Sequence, residues 1–235
     1  MAPPSSTICI IPARGGSKRI PRKNIRPFLG RPIIAYAIEA AKNSGCFDEV
    51  MVSTDDEEIA SIAREYGATV PFMRSAATAD DHSNFTDALT EVLERYRELG
   101  RNFELCCSIF PTAVLTQPEH LRIGHEKLKA DPELYAVVPV LHFGYPIQRA
   151  LKIDAERLHM IQPENYFVRT QDMEKAYHDS GQWYWMRADK ISGKLRLLAP
   201  TSAPLVISEM DAQDIDNETD WLLAEVKYQT RAQAR

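Results

Sequence analysis

The chain reads as an α/β protein with a three-layer, mostly parallel sheet, and three observations predict it. Short β-rich apolar runs alternate with helical patterns from Thr7 to Val140. The polar chemistry gathers in the loops that follow the first two runs, Ile11 to Arg26 and Ser53 to Asp56. After Val140 the alternation gives way to short strand-like pieces separated by polar turns. Such a series forms a parallel sheet covered on both faces, with ligands at the carboxyl ends of its strands.

The elements follow in order. Thr7 to Pro12 is a strand, Pro32 to Ala41 has apolar residues at helical spacing, and Glu49 to Ser53 is a second strand. Asp55 to Tyr66 reads as a helix with Asp55 as its N-cap and acidic residues in its first turn. Val70 to Met73 is a short strand, Asn84 to Leu99 a helix, Glu104 to Ile109 a buried strand, Gln117 to Ala130 a helix and Ala136 to Val140 a strand. Pro146 to Ile153 and Arg157 to Met160 pair as antiparallel strands. Ser180-Gly181 introduces the aromatic strand Gln182 to Met186. Leu205 to Ser208 and a helix from Thr219 to Thr230 complete a single domain, 1–235. The segment from about 142 to 185 is an antiparallel insertion that covers a site or pairs with a second copy.

Composition excludes several classes. With 235 residues, 44% hydrophobic and 26% charged, the chain has ample core for one domain. The opening MAPPSST is polar and proline-rich, and no apolar run approaches the roughly 20 residues of a membrane span, so a cytoplasmic protein is expected. The four cysteines lack metal-ligand spacing, and adjacent Cys106 and Cys107 on a strand face opposite ways, which predicts buried thiols. A net charge of -5 argues against nucleic acid as a partner.

Against that balance, Ile11 to Arg26 holds six basic side chains and no acidic one. ARGGS fits neither GxxxxGK[ST] nor GxGxxG, so kinase-type and dinucleotide loops are excluded. What remains is a strand-end loop whose Arg14, Lys18 and Lys23 can meet phosphate oxygens, while Gly15 and Gly16 allow backbone N–H groups to approach. Cations there also stabilise charge on a departing pyrophosphate. Farther on, Asp214 and Asp216 are two apart, so on an extended segment both can hold one hard cation. Acidic residues before a helix also serve as caps, and Asp216 could cap the last helix.

The stretch IIPARGGSKRIPRKNI, Ile10 to Ile25, closely resembles the signature of the CMP-sugar synthetases, cytidylyltransferases that activate sialic and related nonulosonic acids. Supporting matches are Val52-Ser53-Thr54-Asp55, Val70 to Arg74, Pro111-Thr112, and Asp214-Ile215-Asp216 with Glu218 and Asp220. The resemblance implies a Rossmann-like nucleotidyltransferase fold and attack by a sugar's anomeric hydroxyl on the α-phosphate of CTP, releasing pyrophosphate, with Mg2+ as the metal. It implies that Arg14, Gly15, Gly16, Ser17, Lys18 and Lys23 line the triphosphate, Asn24 touches ribose or base, and Arg74 meets the cytosine carbonyl. Asp214 and Asp216 would hold the metal. The general base stays open between Asp214 and a metal-held water. A homodimer is implied, with the insertion of one copy near the site of the other.

Departures narrow the sugar. The sialic acid branch has glutamine where this chain has Phe110 in IFPTAVL, and a PNGAIY-like stretch where this chain has Asp179 to Trp185. Near the expected nucleotide-contacting serine the chain reads DDHSNFT from Asp80, so that serine is not transferred. The segments 146–151 and 177–182 resemble the pseudaminic acid branch instead. Gln148, Arg149, Arg169 and Gln182 are the candidate sugar contacts, either arginine being able to clasp the sugar carboxylate in bidentate fashion. Trp183 and Trp185 share a strand face and read as core, with Tyr184 pointing the other way. Of the six histidines, His178 alone is a candidate contact. A metal-dependent glycosyltransferase and a non-catalytic nucleotide-binding protein are the competing classes.

Overall fold

The structure is a computed structural model that describes residues 6–17, 19–79, 84–192 and 195–233. Strand β1 (Thr7–Pro12) leads through the glycine loop to a two-strand hairpin, β2 (Pro27–Phe28) and β3 (Arg31–Pro32), and then to α1 (Ile34–Ser44). There follow β4 (Glu49–Ser53), α2 (Glu57–Glu65), the single turn α3 (Ala76–Ala79), α4 (Phe85–Glu98), β5 (Leu105–Ile109), α5 (Pro118–Ala130) and β6 (Ala136–His142). A hairpin of β7 (Leu151–Asp154) and β8 (Arg157–Met160) precedes β9 (Tyr177–Asp179), β10 (Trp183–Arg187), β11 (Ser202–Val206) and α6 (Glu218–Gln233). The main sheet runs β11-β6-β10-β5-β1-β4, with β9 also on β6. Strands β4, β1, β5, β6 and β11 are parallel and β10 is antiparallel between β5 and β6.

Strand periodicity divides the core into layers. Cys9, Ile11, Val52, Cys107, Trp183 and Trp185 face α1, α2 and α5, whereas Ile8, Ile10, Cys106, Tyr184 and Met186 face α4. Cys106 and Cys107 thus point to opposite faces, and the four cysteines are free thiols. Trp183 and Trp185 are fully buried, as expected of core residues. They lie so close to α5 that a Cβ on Gly124 would come within 2.7 Å of Trp185 and 2.9 Å of Trp183. Because β4 lies on one side of β1 and β5 on the other, the order in which strands are added to the sheet reverses between β1 and β5. A crevice opens above their carboxyl ends. Among the described residues no helix is long and apolar enough to cross a membrane.

Several elements depart from the sequence reading. Val70 to Met73 is no strand, because only Thr69 bridges to Met51. Within Pro146 to Ile153 the first part is a short 3-10 turn, Ile147–Arg149, and the strand begins at Leu151. The predicted insertion is narrower than 142–185, since β9 and β10 belong to the main sheet and only the chain between β6 and β9 leaves it. Asp55 is not the cap of α2. Asp56 is, its Oδ1 accepting from Glu58 and Ile59 N–H at 3.0 Å, which satisfies donors the helix cannot. Likewise Asn217, not Asp216, caps α6, accepting from Thr219 and Asp220 N–H while Asp220 accepts from Asn217 N–H in return.

Asp56 also ion-pairs with Arg22, whose φ of 54° is left-handed. That pairing first, then the backbone N–H groups, hold its carboxyl below the usual range. A depressed native value means the stabilisation is present at neutral pH and lost as pH falls through that value. Asp56→Ala should lower the unfolding free energy by about 1–2 kcal/mol at neutral pH. Denaturant titrations should find the gap narrowing toward acid.

Candidate active site

Three adjoining depressions follow the β1/β5 crevice. The middle one, about 380 Å³, is lined by Arg14, Ser17, Arg19, Lys23 and Asn24 from the glycine loop and by Phe110, Pro111 and Thr112 after β5. On one side a cavity of about 200 Å³ shares Pro12, Arg14 and Phe110 with it and adds Arg74, Thr78, Asn84 and Phe85. On the other, a cavity of about 440 Å³ shares Arg19, Lys23, Phe110 and Thr112 and adds Asp179, Gly181, Tyr184, Asp214 and Asp216. One continuous cleft therefore carries arginines at one end, mixed basic groups in the middle and carboxylates at the other end.

The loop is shaped from below. Ala13 N–H donates to Ser53 C=O at 2.9 Å, and Asn24 Nδ2 donates to Arg14 C=O at 2.9 Å. Gly15 N–H, expected to meet phosphate, donates to Asp55 Oδ1 at 2.9 Å instead. A Cβ at Gly15 would sit 2.7 Å from Asp56 Oδ2 and 3.1 Å from its Cβ, so a side chain there would have to displace the capping carboxylate. Gly16 has open space around it. Lys18 lies outside the described residues. Arg74 is anchored on the β4–α2 turn, its Nε on Ser53 Oγ at 3.0 Å and an Nη on Ser53 C=O at 2.8 Å. Burial pulls its pKa down, with Asp55 and Glu91 opposing.

Lys23 and the two aspartates tie the loop to the chain before α6. Lys23 Nζ donates to Ile215 C=O at 2.7 Å and lies 3.9 Å from Asp216 Oδ1, while Arg19 pairs with Asp216 Oδ2 at 2.6 Å. Burial lowers the Lys23 ammonium pKa, and Asp216 and Asp214 partly restore it. Asp214 is pushed up, first by burial and then by Asp216, with Lys23 pulling the other way. Asp214 and Asp216 face Lys23 and Arg19, two carboxylates against two cations, and the oxygen-only donor set of the aspartates suits a hard divalent cation. Among the described residues no group of three or more His, Cys, Asp or Glu could hold a metal, so such a cation would need phosphate and water oxygens to complete its shell.

The expected sugar contacts do not join this cleft within one chain. Gln148 Nε2 donates to Glu174 C=O at 2.9 Å, an Arg149 Nη donates to Val168 C=O at 2.7 Å, and Arg169 pairs with Asp172 at 2.7 Å. All three hold the insertion together. Gln182 is only 1% exposed; its amide donates to Gln213 C=O at 3.2 Å, and its Oε1 is buried without a protein partner. It packs beneath the cleft and fixes the backbone that leads into Asp214. His178 is exposed beside Phe143 and does not line the cleft. Sequence reading missed Arg19, Thr112, Asp179 and Tyr184 as lining residues. Arg19 was visible in the basic loop, but only the β9–β10 geometry brings Asp179 and Tyr184 in.

Residues 8–213 match the sequence model of a family described as Cytidylyltransferase. The chain belongs to the cytidylyltransferase family. It is 39% identical over 228 residues to the pseudaminic acid cytidylyltransferase of Campylobacter jejuni subsp. jejuni, covering 94% of this chain and 95% of that protein. It is 32% identical to a CMP-N,N'-diacetyllegionaminic acid synthase of Legionella pneumophila subsp. pneumophila, over 93% of this chain and 94% of the relative. In fold it resembles a CMP:2-keto-3-deoxy-manno-octonic acid synthetase solved with CTP, with a TM-score of 0.70 and 18% identity over 97% of this chain and 100% of that one. The basic centre of the cleft, with Arg14, Arg19 and Lys23, is complementary in charge to a polyphosphate. Replacing Lys23 by Met should raise the KM for CTP about tenfold or more through loss of a charge-assisted contact. Steady-state kinetics against CTP checks it.

Proposed function

We propose that this cytidylyltransferase transfers CMP from CTP to the anomeric hydroxyl of a nonulosonic acid, pseudaminic acid first, releasing pyrophosphate. The observation that carries the reading is the ordered cleft, with Arg74 and Arg14 at one end, Lys23 and Asn24 in the middle, and Asp214 and Asp216 at the other. In this reading the cytosine lies near Arg74, the triphosphate against Arg14, Ser17, Lys18 and Lys23, and the sugar in the cavity of Asp214. The greater identity to the pseudaminic acid enzyme than to the legionaminic acid enzyme supports the choice of acceptor.

The chain's own groups support an in-line displacement at the α-phosphorus. Arg14 and Lys23 neutralise the phosphates and take up charge that develops on the departing pyrophosphate. The rings of Phe110 and Tyr184 form the apolar part of the wall around the sugar cavity. Asp214 lies on the wall of the sugar cavity and can receive the anomeric proton when its carboxylate is not engaged by a cation. Magnesium held by Asp214 and Asp216 would supply Lewis-acid stabilisation of phosphate charge.

The same reading includes a single domain whose insertion pairs with a second copy. Tyr145, Ile147, Leu151, Ile153 and Leu158 of the insertion are exposed, and Phe167 is 91% exposed. An apolar face of this kind belongs to an interface, and a second copy would bring Gln148, Arg149 and Arg169 toward the partner's sugar cavity. CTP and a sugar acid as substrates support a cytoplasmic setting.

Incubation with CTP, magnesium and a panel of free nonulosonic acids should give a CMP-pseudaminic acid mass and pyrophosphate. A CMP adduct formed only with N-acetylneuraminic acid would replace the acceptor. Asp214→Ala should abolish turnover while CTP binding by calorimetry persists; near-normal rates would remove Asp214 from the chemistry. Ile153→Glu with Phe167→Glu should convert a dimer to monomers in light scattering.

A further inference from the structure

The sugar-side cavity contains a pair of residues that phosphate binding, metal binding and proton transfer leave unused. Tyr184 Oη donates to Asp179 Oδ2 at 2.5 Å, and Asp179 Oδ1 accepts from Gly181 N–H at 3.0 Å. Both residues line the cavity of about 440 Å³ together with Asp214 and Asp216. Tyr184 is fixed from the side by Phe85 and Phe110, with ring centroids 5.5 and 5.7 Å away. Burial first, then the Asp179 charge, raises the phenol far above its usual range, so it remains the donor and Asp179 the acceptor.

A carboxylate oxygen has two lone-pair sites, and each oxygen of Asp179 has one engaged by the protein. Among the described residues nothing takes the second site on either oxygen, which leaves one on each for a ligand in the cavity. Arg19 and Lys23 on the same wall can only donate, and suit phosphate or a sugar carboxylate. A nonulosonic acid also carries donors, its acylamino N–H and hydroxyl groups, which neither cation can receive. If Asp214 and Asp216 are taken by the metal, Asp179 is the carboxylate left to accept from them. We infer that Asp179, held by Tyr184, accepts a hydrogen bond from an N–H or O–H donor on the sugar and so determines which sugar acid is used. The inference rests on the nonulosonic acid reading.

The test compares the wild type with Asp179→Asn, Asp179→Ala and Tyr184→Phe, each measured against CTP and against the preferred sugar. Loss of a hydrogen bond to a charged group should raise the sugar KM of Asp179→Ala about tenfold or more, with a smaller rise for the near-isosteric Asp179→Asn. The CTP KM should stay within about twofold in both, since ground-state contacts to CTP are untouched. Tyr184→Phe, which frees the carboxylate without removing it, should raise the sugar KM less than Asp179→Ala. An unchanged sugar KM in Asp179→Asn and Asp179→Ala overturns the inference, as does a parallel rise in both KM values with a fall in Tm. Wild-type enzyme that releases no pyrophosphate with any nonulosonic acid overturns the functional reading, and the inference falls with it.

Discussion

The cleft depends on the grip that the turn between β4 and α2 keeps on the glycine loop. Asp55 takes the Gly15 N–H, Asp56 packs against Gly15 and pairs with Arg22, and Ser53 receives Ala13 N–H through its carbonyl. The same Ser53 anchors Arg74. A run of six cations would spread by mutual repulsion if left to itself. Two adjacent carboxylates at a helix N-terminus counter this, and Asp56 does so while capping that helix. Loop shape, helix start and arginine placement are thus one electrostatic arrangement.

The charge is graded along the cleft as well as concentrated in it. Arg14 and Arg74 occupy one end, Arg19 and Lys23 bridge the centre, and three carboxylates close the other end. An anion entering from solvent meets a potential that falls along its length, which gives a polyphosphate a preferred direction. Lys23 is the pivot because it touches both halves, through the central cavity and through Ile215 and Asp216.

The sheet and the basic loop were legible in the sequence because their signals are local. Thr7 to Pro12, Glu49 to Ser53 and Glu104 to Ile109 are contiguous apolar runs, and the loop announces itself by charge against a net -5. The caps were read one residue early at Asp55 and Asp216, since neighbouring polar residues compete for one role and only backbone geometry decides between them. The aromatic strand was assigned to the insertion because sequence order placed it there. Its insertion between β5 and β6 is a long-range pairing that periodicity does not encode. Gln182, Asp179 and Tyr184 exchange roles with expectation for the same reason, as the break between two strands sets which of them reaches the cleft.

That break also sets where the insertion leaves the sheet. Strands β9 and β10 occupy a single lane on β6, interrupted at Ser180 to Gln182, where Gly181 adopts a φ of 64°. Below the interruption β10 is clamped between two neighbours, whereas above it β9 leads directly into the insertion. The three interrupting residues join the paired base of the sheet to the protruding arm. Gly181 lies where a Cβ would be 3.3 Å from the Asp214 carboxyl carbon, and Gln182 holds the residue before it. The arm thus joins the sheet at the carboxylate end of the cleft, with its junction packed against Asp214.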